Sequence, residues 1–518
     1  MLVLLSLVFA SVVSHQVFSI PSITSMPTMK GMTVNAWSAE AYNTSDYDQS
    51  ITNLSNIRAN WVLFTIFWFM ESPTSADIHP RYDLYSASNS SLIHAIQKAH
   101  ELGMKVALKP MVDVIGGTWR GQINPSNWTT WFTNYRHFIQ DFAELAEANG
   151  VELYVVGTEL KSSQQYQSSW RQVISETRTV FSKNLTYAAN WDSYSTTQVR
   201  FWDALDFVGV DAYFPLTNSF NPSVSQLKNG WSNSPPGWWG AGRNWTNELY
   251  STHTATGKQI VFTEIGYVSK NGTNMYPWDW NVSTTLDLQE QADCYQAALD
   301  VFKDKSWFSG WFWWNWETDP DAGGPSEMHY TPQNKPAETV LYQYYTEVRD
   351  LAVTGVQVSK TVVGYGLSVA INLTVENQGV FNEAFNLTVY ANSTVIKTER
   401  VTLQNGVSRL IAYSWNTSGF VKGKYTISAY AWILQGESDI ADNTYVGGNA
   451  TVAMVGDVTG LVPSVPDGKV DVRDLAFVAK YYGKSVPPAP VNCDIVDDRR
   501  VDIKDLALMA KNYGKTDP

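Results

Sequence analysis

The sequence predicts an α/β protein whose largest part is a (β/α)8 TIM barrel, followed by a β-sandwich and a small α-helical calcium-loop domain. Three observations support this order. Residues 29–349 alternate short apolar runs with amphipathic stretches, residues 351–455 show alternating strands between turns, and residues 456–518 contain an internal repeat. A chain of 518 residues with 44% hydrophobic residues can fill several cores.

The barrel prediction depends on eight apolar runs that read as buried parallel strands, because Val, Ile, Leu and Phe follow one another without polar alternation. Amphipathic stretches at residues 91–102, 128–148, 168–181 and 286–302 have the spacing of helices that cover such a sheet. A doubly wound open sheet is the alternative arrangement. The strand candidates are residues 31–36, 61–69, 105–111, 153–157, 186–190, 207–210, 259–263 and 310–314.

Residues 351–455 lack long helical patterns. Alternating segments at 367–375, 385–390 and 425–430 are separated by turn residues, which predicts a β-sandwich. With the segment 375–379 and the pair Asp442-Asn443, this stretch resembles an adhesion-type immunoglobulin-like module of bacterial and archaeal cell-surface proteins. No catalytic constellation is visible there, so we expect a spacer or binding role.

The C-terminal repeat places residues 470–484 in register with residues 501–515. In the second copy, aspartates fall at positions one, five, nine and twelve of a loop that precedes a helix, which is the spacing of oxygen ligands in a calcium loop. The repeat resembles a dockerin module, which implies Ca²⁺ and a cohesin-type partner. The alternative is an acidic helical hairpin without metal. The predicted ligands are Asp467, Asp471 and Asp474 in the first copy and Asp494, Asp498, Asp502 and Asp505 in the second.

The two copies also depart from the pattern. Asp457 is displaced upstream by an insertion in the first loop, Arg499 stands where the second loop should have a glycine, and Val496 replaces a ligand. We therefore expect weakened calcium binding in the second loop.

Two glutamates follow strand candidates in the barrel. Glu159 follows the fourth and Glu264 the seventh, which in a parallel barrel places both carboxylates on one rim. Paired carboxylates can deliver a proton to a glycosidic oxygen and negative charge to the anomeric carbon, so they indicate glycoside hydrolysis. The competing interpretation is that each glutamate forms a structural ion pair, with Arg120 or Lys109.

A fourth-strand acid/base and a seventh-strand nucleophile resemble glycoside hydrolase clan A, whose members are retaining. Further motifs span nearly the whole barrel: Leu108-Lys-Pro110 with Asp113, Thr118-Trp-Arg-Gly121, Gly157-Thr-Glu-Leu160, Val210-Asp-Ala-Tyr-Phe-Pro215, Thr263-Glu-Ile-Gly-Tyr267 and Gly310-Trp-Phe-Trp-Trp314. These motifs resemble the family 113 β-mannanases. Thr158 stands where many clan members carry Asn, which favours family 113 over the larger cellulase families.

That resemblance implies roles for individual residues. Glu159 would be the acid/base, Glu264 the nucleophile and Tyr213 a hydrogen-bond donor to the nucleophile. Polar residues at strand ends are predicted to reach sugar hydroxyls: Asn35, Lys109, Asp113, Arg120, Asn190 and Asp211. Four tryptophans are predicted to stack on sugar rings: Trp37, Trp119, Trp313 and Trp316.

The sequence therefore predicts a secreted retaining endo-β-1,4-mannanase that acts on a β-linked polysaccharide. Another β-glycan endohydrolase, such as an endoglucanase or galactanase, and a non-catalytic polysaccharide-binding protein remain open. No cofactor is expected for the hydrolysis. The net charge of −13, without a basic patch, argues against nucleic acid as a partner.

The apolar run at residues 2–13 predicts a signal peptide or N-terminal anchor within residues 1–20. Asn-x-Ser/Thr sequons suit a glycosylated external surface. We therefore expect an extracellular or cell-surface location.

Overall fold

A computed structural model describes residues 27–237, 239–437 and 439–517. The predicted signal peptide lies outside these residues. The chain divides into two compact units, one with residues up to Ser45, Asn60–Thr284 and Ala297–Thr318, the other with Asp46–Ala59, Thr285–Gln296 and the chain from Asp319 onward. Within the described ranges, no helix combines the length and apolar character needed to cross a membrane.

Eight parallel strands form a closed barrel in which each strand pairs with the next and β8 pairs with β1. This confirms the predicted barrel and excludes the open sheet. A Cβ at Gly31 would lie 2.6 Å from the Phe312 ring, so this strand contact depends on glycine. The strands are β1 Met29–Val34, β2 Trp61–Met70, β3 Lys105–Val114, β4 Leu153–Thr158, β5 Asn184–Asn190, β6 Val208–Asp211, β7 Ile260–Ile265 and β8 Phe308–Trp316.

Helices alternate with these strands, although not one for one: β5 leads to β6 through a 3₁₀ turn, Trp202–Ala204, and two helices follow β6. The longest helix buries Trp131, Tyr135, Phe138 and Phe142 at helical spacing, which gives one apolar face. The helices are α1 Ser45–Asn56, α2 Asn89–Glu101, α3 Trp128–Ala148, α4 Gln167–Val180, α5 Val224–Gly230, α6 Trp245–Thr256, α7 Leu288–Phe302 and α8 Pro336–Tyr345.

Two sheets follow, with strand orders β10-β16-β15-β12-β13 and β14-β11-β9, and they share one hydrophobic core. Strict alternation along β11 buries Val369, Ile371, Leu373 and Val375 and leaves the residues between them more exposed. The strands are β9 Leu351–Val358, β10 Val362–Gly364, β11 Ser368–Asn377, β12 Glu383–Ala391, β13 Thr394–Leu403, β14 Ser408–Asn416, β15 Gly423–Ala431 and β16 Thr444–Ala453.

The C-terminal repeat forms two short helices, α9 Val472–Ala479 and α10 Ile503–Ala510. Each begins with a capping box made of two aspartates three residues apart, in which each side chain accepts a backbone N–H from the other end of the first turn. The two copies contribute matching core residues, including Val470 with Val501 and Val478 with Met509. The sequence repeat is therefore also a structural repeat.

Candidate active site

The candidate catalytic glutamates lie at the carboxyl ends of two barrel strands. Glu159 directly follows β4, and its N–H donates to the carbonyl of Ala188 at the end of β5 (2.8 Å). Glu264 lies in β7, paired with Asp211 of β6. Both glutamates therefore occupy the same rim of the parallel barrel. The backbone of Glu159 has a φ of 51°, a left-handed conformation that costs a non-glycine residue about 1–3 kcal/mol and is typical of functional sites.

Glu159 is buried and receives two hydrogen bonds on one oxygen. The Trp119 indole N–H donates to Oε2 at 3.1 Å and Arg120 Nη1 donates to the same atom at 3.2 Å. Burial raises the pKa of Glu159, the charge of Arg120 opposes that rise, and the nearby charge of Glu264 adds to it. A carboxyl with a raised pKa is suited to hold a proton for a leaving group.

Glu264 is held by two donors, one on each oxygen. Lys109 Nζ donates to Oε1 at 2.6 Å, and the Tyr213 hydroxyl donates to Oε2 at 2.7 Å. Because each oxygen accepts a hydrogen bond from a different side chain, the carboxylate is fixed in one orientation. The contact that the sequence predicted for Tyr213 is present.

Lys109 also donates to both carboxylate oxygens of Asp211, at 2.9 and 3.0 Å, and Thr263 Oγ1 donates to Asp211 at 2.7 Å. Burial alone would lower the pKa of Lys109, but Asp211 and Glu264 together raise it, so the lysine remains a cation. Burial, and then the charge of Glu264, raise the pKa of Asp211. Lys109 and Asp211 are completely buried. The prediction that these two residues contact sugar hydroxyls does not fit this arrangement, since they position Glu264 instead.

Asp113 and Arg120 form a second polar pair beside Glu159. Arg120 Nε donates to Asp113 Oδ1 at 3.1 Å, and the hydroxyl of Tyr85 donates to Asp113 Oδ2 at 3.0 Å. A cleft of about 400 Å³ is lined by Tyr85, Asp113, Trp119, Arg120 and neighbouring residues of the β3 loop. Asp113 and Arg120 both line the open cleft, and Arg120 also donates to the buried Glu159. Both residues therefore stay predicted substrate ligands.

The remaining polar candidates differ in exposure. Asn35 is fully buried and accepts from Thr65 Oγ1 at 2.7 Å, while its amide nitrogen has no hydrogen-bond partner. Asn190 is 8% exposed, and its amide donates to Asp192 at 2.8 Å. Asn35 therefore has an unused donor, but its complete burial does not fit the prediction that it contacts sugar hydroxyls.

The four tryptophans separate into two pairs. Trp37 and Trp119 are 49% and 37% exposed and stay predicted stacking surfaces. Trp313 and Trp316 are 0% and 1% exposed, which does not fit the prediction that they offer open faces to a sugar. Trp313 is a buried position of β8 itself, and β8 extends to Trp316, two residues beyond the predicted strand end, so Trp316 is also a buried strand residue.

Two residues of the site were not predicted. Glu317 accepts the indole N–H of Trp37 at 2.7 Å, and Tyr85 holds Asp113. Glu317 could have been found, because it directly follows the last strand of the barrel. Tyr85 lies in the loop after β2, where the sequence carries no signal for it.

The predicted calcium ligands bind backbone N–H groups within their own loops. In the second copy, Asp494 accepts from the N–H of Asp498 (3.1 Å) and of Arg499 (2.8 Å), and Asp505 accepts from Ile495 and Val496. Arg499 has a φ of 67°, which confirms that the turn needs a left-handed residue there.

The first copy repeats this geometry with Asp457 in place of Asp494. Asp457 accepts from the N–H of Asp467 (3.2 Å) and of Gly468 (2.9 Å), and Asp474 accepts from Val458 and Thr459. In the sequence, Asp457 is displaced upstream by an insertion. In the structure it makes the same two hydrogen bonds as Asp494, so it is the first residue of the first loop. Asp467, Asp471, Asp498 and Asp502 each also bind an Arg or Lys side chain or a nearby N–H.

Among the residues that the structure describes, no group of three or more His, Cys, Asp or Glu side chains is arranged to hold a metal ion. The seven predicted calcium ligands are therefore not grouped as a ready-made site, and calcium binding stays a prediction.

Comparison with known proteins agrees with the geometry of the barrel. The sequence model of Glycoside Hydrolase Family 113 matches residues 32–335, more than half of the chain, and the CARDB model matches residues 348–432. The GH113 β-mannanase AaManA from Alicyclobacillus acidocaldarius, solved in complex with ManMIm, has 27% identity and a TM-score of 0.54, covering 62% of this chain and 98% of that chain. Two structures of GH113 β-1,4-mannanase, one of them a complex, have 27% identity and a TM-score of 0.53, covering 62% of this chain and 99% of theirs. Among curated proteins, none matches the sequence. The matched region includes both Glu159 and Glu264.

Proposed function

The chain belongs to glycoside hydrolase family 113, and from this premise we propose that it is a retaining endo-β-1,4-mannanase acting on mannan or glucomannan by double displacement. The proposal rests on one observation: the two rim glutamates, Glu159 and Glu264, have different surroundings. Burial raises the pKa of Glu159, whereas Glu264 has a lysine and a phenol on its two oxygens. One group is thus suited to donate a proton and the other to attack.

In the first step, Glu264 attacks the anomeric carbon while Glu159 protonates the leaving glycosidic oxygen, which gives a glycosyl-enzyme ester. Glu159 then takes a proton from water, and the resulting hydroxide displaces Glu264 from the sugar. Lys109 and Tyr213 keep the Glu264 carboxylate in place through both steps. No cofactor is required by this sequence of events.

The mannan preference is supported by the β-mannanases among the similar structures. A parallel digest of mannan, glucomannan, cellulose and galactan, with early products read by ¹H NMR and by viscosity, tests the proposal. We expect cleavage of mannan and glucomannan, β-anomers first, and a viscosity that falls faster than reducing ends accumulate. Cleavage of cellulose or galactan alone would assign another β-glycan hydrolase, and α-anomers first would exclude retention. No cleavage of any of the four, with binding retained, would indicate a polysaccharide-binding protein.

We also propose that the C-terminal repeat is a dockerin-like module that binds calcium and a cohesin-type partner. Support comes from equal exposure at matching positions of the two copies: Val472 and Ile503 are 63% and 64% exposed, and Tyr482 and Tyr513 are both 52% exposed. Exposed apolar side chains on a small domain suit a protein interface. Binding of purified cohesin domains to the full chain in calcium and in EDTA tests this, and binding in neither condition contradicts it.

The enzyme is proposed to act outside the cell, anchored or released, on the basis of the apolar N-terminal run and the sequons. A CARDB domain follows the barrel, and its role is proposed to be that of a spacer or binding module.

A further inference from the structure

The pair Asp442-Asn443, which the proposed hydrolysis does not use, directly precedes β16, the strand that ends the sandwich. Asp350 directly precedes β9, the strand that begins it. The backbone brings these segments together, because the N–H of Val353 donates to the carbonyl of Asp442 at 2.9 Å. The Asn443 carbonyl is held in the same way by the N–H of Ala431, also at 2.9 Å.

One oxygen in each of these three side chains is shielded from solvent and accepts no hydrogen bond: Oδ1 of Asp350, of Asp442 and of Asn443. Asn443 is completely buried, and its amide nitrogen donates to Glu437 Oε1 at 3.0 Å. That bond fixes the orientation of the amide, so its oxygen has to be the unsatisfied end. Buried oxygens without a donor are rare in native proteins, and three around one junction indicate a missing positive partner.

The charged side chains that act on Asp350 are all carboxylates. Glu437, Asp439 and Glu376 lie close enough that, after burial and together with Asp442, they raise the pKa of Asp350 to about 6. The neighbouring cation, Arg349, pairs with Glu383 instead. In the described part of the chain, no lysine or arginine forms an ion pair with Asp350, Asp442 or Glu437.

We propose that Oδ1 of Asp350, Asp442 and Asn443 bind one calcium ion. Two carboxylates and an amide oxygen are hard ligands of the kind that Ca²⁺ takes, and water and backbone carbonyls can complete its shell of about six to eight oxygens. Only two of these three ligands are acidic. In the described ranges no cluster of three or more His, Cys, Asp or Glu ligands is present, and a site with two acids and one amide agrees with that. Mg²⁺ fits less well because it demands octahedral geometry.

The proposed ion would connect the two sheets of the sandwich. Asp350 leads into β9 of the three-stranded sheet, and Asp442 and Asn443 lead into β16 of the five-stranded sheet. Calcium would therefore close the fold at the point where its first and last strands begin.

The number of calcium ions bound per full chain, measured by equilibrium dialysis with ⁴⁵Ca²⁺, tests this proposal separately from the C-terminal loops. We expect Asp350→Asn and Asp442→Asn each to bind one ion fewer than wild type. The matched control is Asp439→Asn, which removes a charge from the same loop. Its carboxylate is exposed and already accepts the N–H of Ala441 at 3.1 Å. The control should bind as many ions as wild type.

Thermal unfolding in EDTA shows whether the variants are folded. Both should unfold at or above the temperature of wild type in EDTA, because each amide relieves repulsion between carboxylates. Equal calcium stoichiometry in wild type and both variants, or no calcium bound by wild type, would overturn the proposal. The result does not depend on the glycoside hydrolase assignment.

Discussion

Lys109 Nζ lies 2.6 Å from Oε1 of Glu264 and donates a hydrogen bond to it. The same ammonium group binds Asp211, so one completely buried cation holds carboxylates from two neighbouring strands. The orientation of the candidate nucleophile is therefore set by the barrel interior before any sugar binds.

Replacing Lys109 by Met should destabilise the barrel strongly, because two buried carboxylates lose their cation. Breaking a buried ion pair costs about 3–5 kcal/mol, and urea unfolding would measure it. The matched control is Lys161→Met, whose partner Asp192 lies at a partly exposed site (40% and 23% exposed), so its loss should be about 0–1 kcal/mol. Equal losses in the two variants would show that the buried pair has no special role.

Glu264→Ala should lower kcat by roughly 10⁴-fold or more, because no other group can form the glycosyl ester. Azide added to this variant should enter the vacated space and yield a glycosyl azide of inverted configuration, detected by mass spectrometry and NMR. Glu248→Ala, a change to a partly exposed glutamate of α6, should keep wild-type activity and form no azide product. Activity near wild type in Glu264→Ala would remove this residue from the mechanism.

Glu159→Gln should lower kcat/KM on mannan by about 10²–10⁴-fold, the usual contribution of a general acid. A substrate whose leaving group needs no protonation, such as a dinitrophenyl glycoside, should lose much less in the first step. The ratio of the two losses is the measurement. The same loss on both substrates would mean that Glu159 does not deliver the proton.

Arg120→Met should move the alkaline limb of the kcat/KM profile to higher pH. The sign follows from the charges: Arg120 opposes the effect of burial on Glu159, so its removal raises the pKa of Glu159 further. An acid with a higher pKa stays protonated, and therefore active, at higher pH. Arg120→Lys keeps the charge and should leave the limb near its original position. A shift to lower pH in Arg120→Met would contradict this assignment of charges.

Arg499→Gly should stabilise the C-terminal repeat by about 1 kcal/mol, because glycine adopts a positive φ without the steric cost that a side chain brings. Arg499 has a φ of 67° and Gly468, the matching residue of the first copy, has 82°. Gly468→Ala should destabilise by a similar amount. Thermal unfolding of the full chain would show both changes, and opposite signs from those expected would mean that other contacts of Arg499 dominate.

The sequence was sufficient to predict the barrel strands and the position of two glutamates on one rim. Continuous apolar runs distinguish buried parallel strands from other segments, and a glutamate at the end of such a run has only one rim to occupy. Glu159 and Glu264 could be paired for this reason, although 105 positions of the numbering separate them.

The sequence could not show which polar side chains face the cleft. Lys109 and Asp211 look like sugar ligands because they lie near strand ends, but both point into the barrel and are buried. The direction of a side chain at a strand end depends on strand length and on register shifts, such as the one between Val210 and Asp211. Trp316 was misplaced because the true end of β8 was not visible in the pattern, whereas Trp313 lies within the predicted strand and the packing around that strand buries it.

The first C-terminal loop is longer than the second but keeps the same hydrogen bonds. Asp457 accepts the backbone N–H groups of Asp467 and Gly468, whereas Asp494 accepts those of Asp498 and Arg499 only four and five residues on. The extra segment has Leu461 at its surface with 91% exposure. Because the aspartate fixes both ends of this excursion, peptide tags, fluorophore sites or further affinity sequences can be grafted there with little disturbance to the repeat.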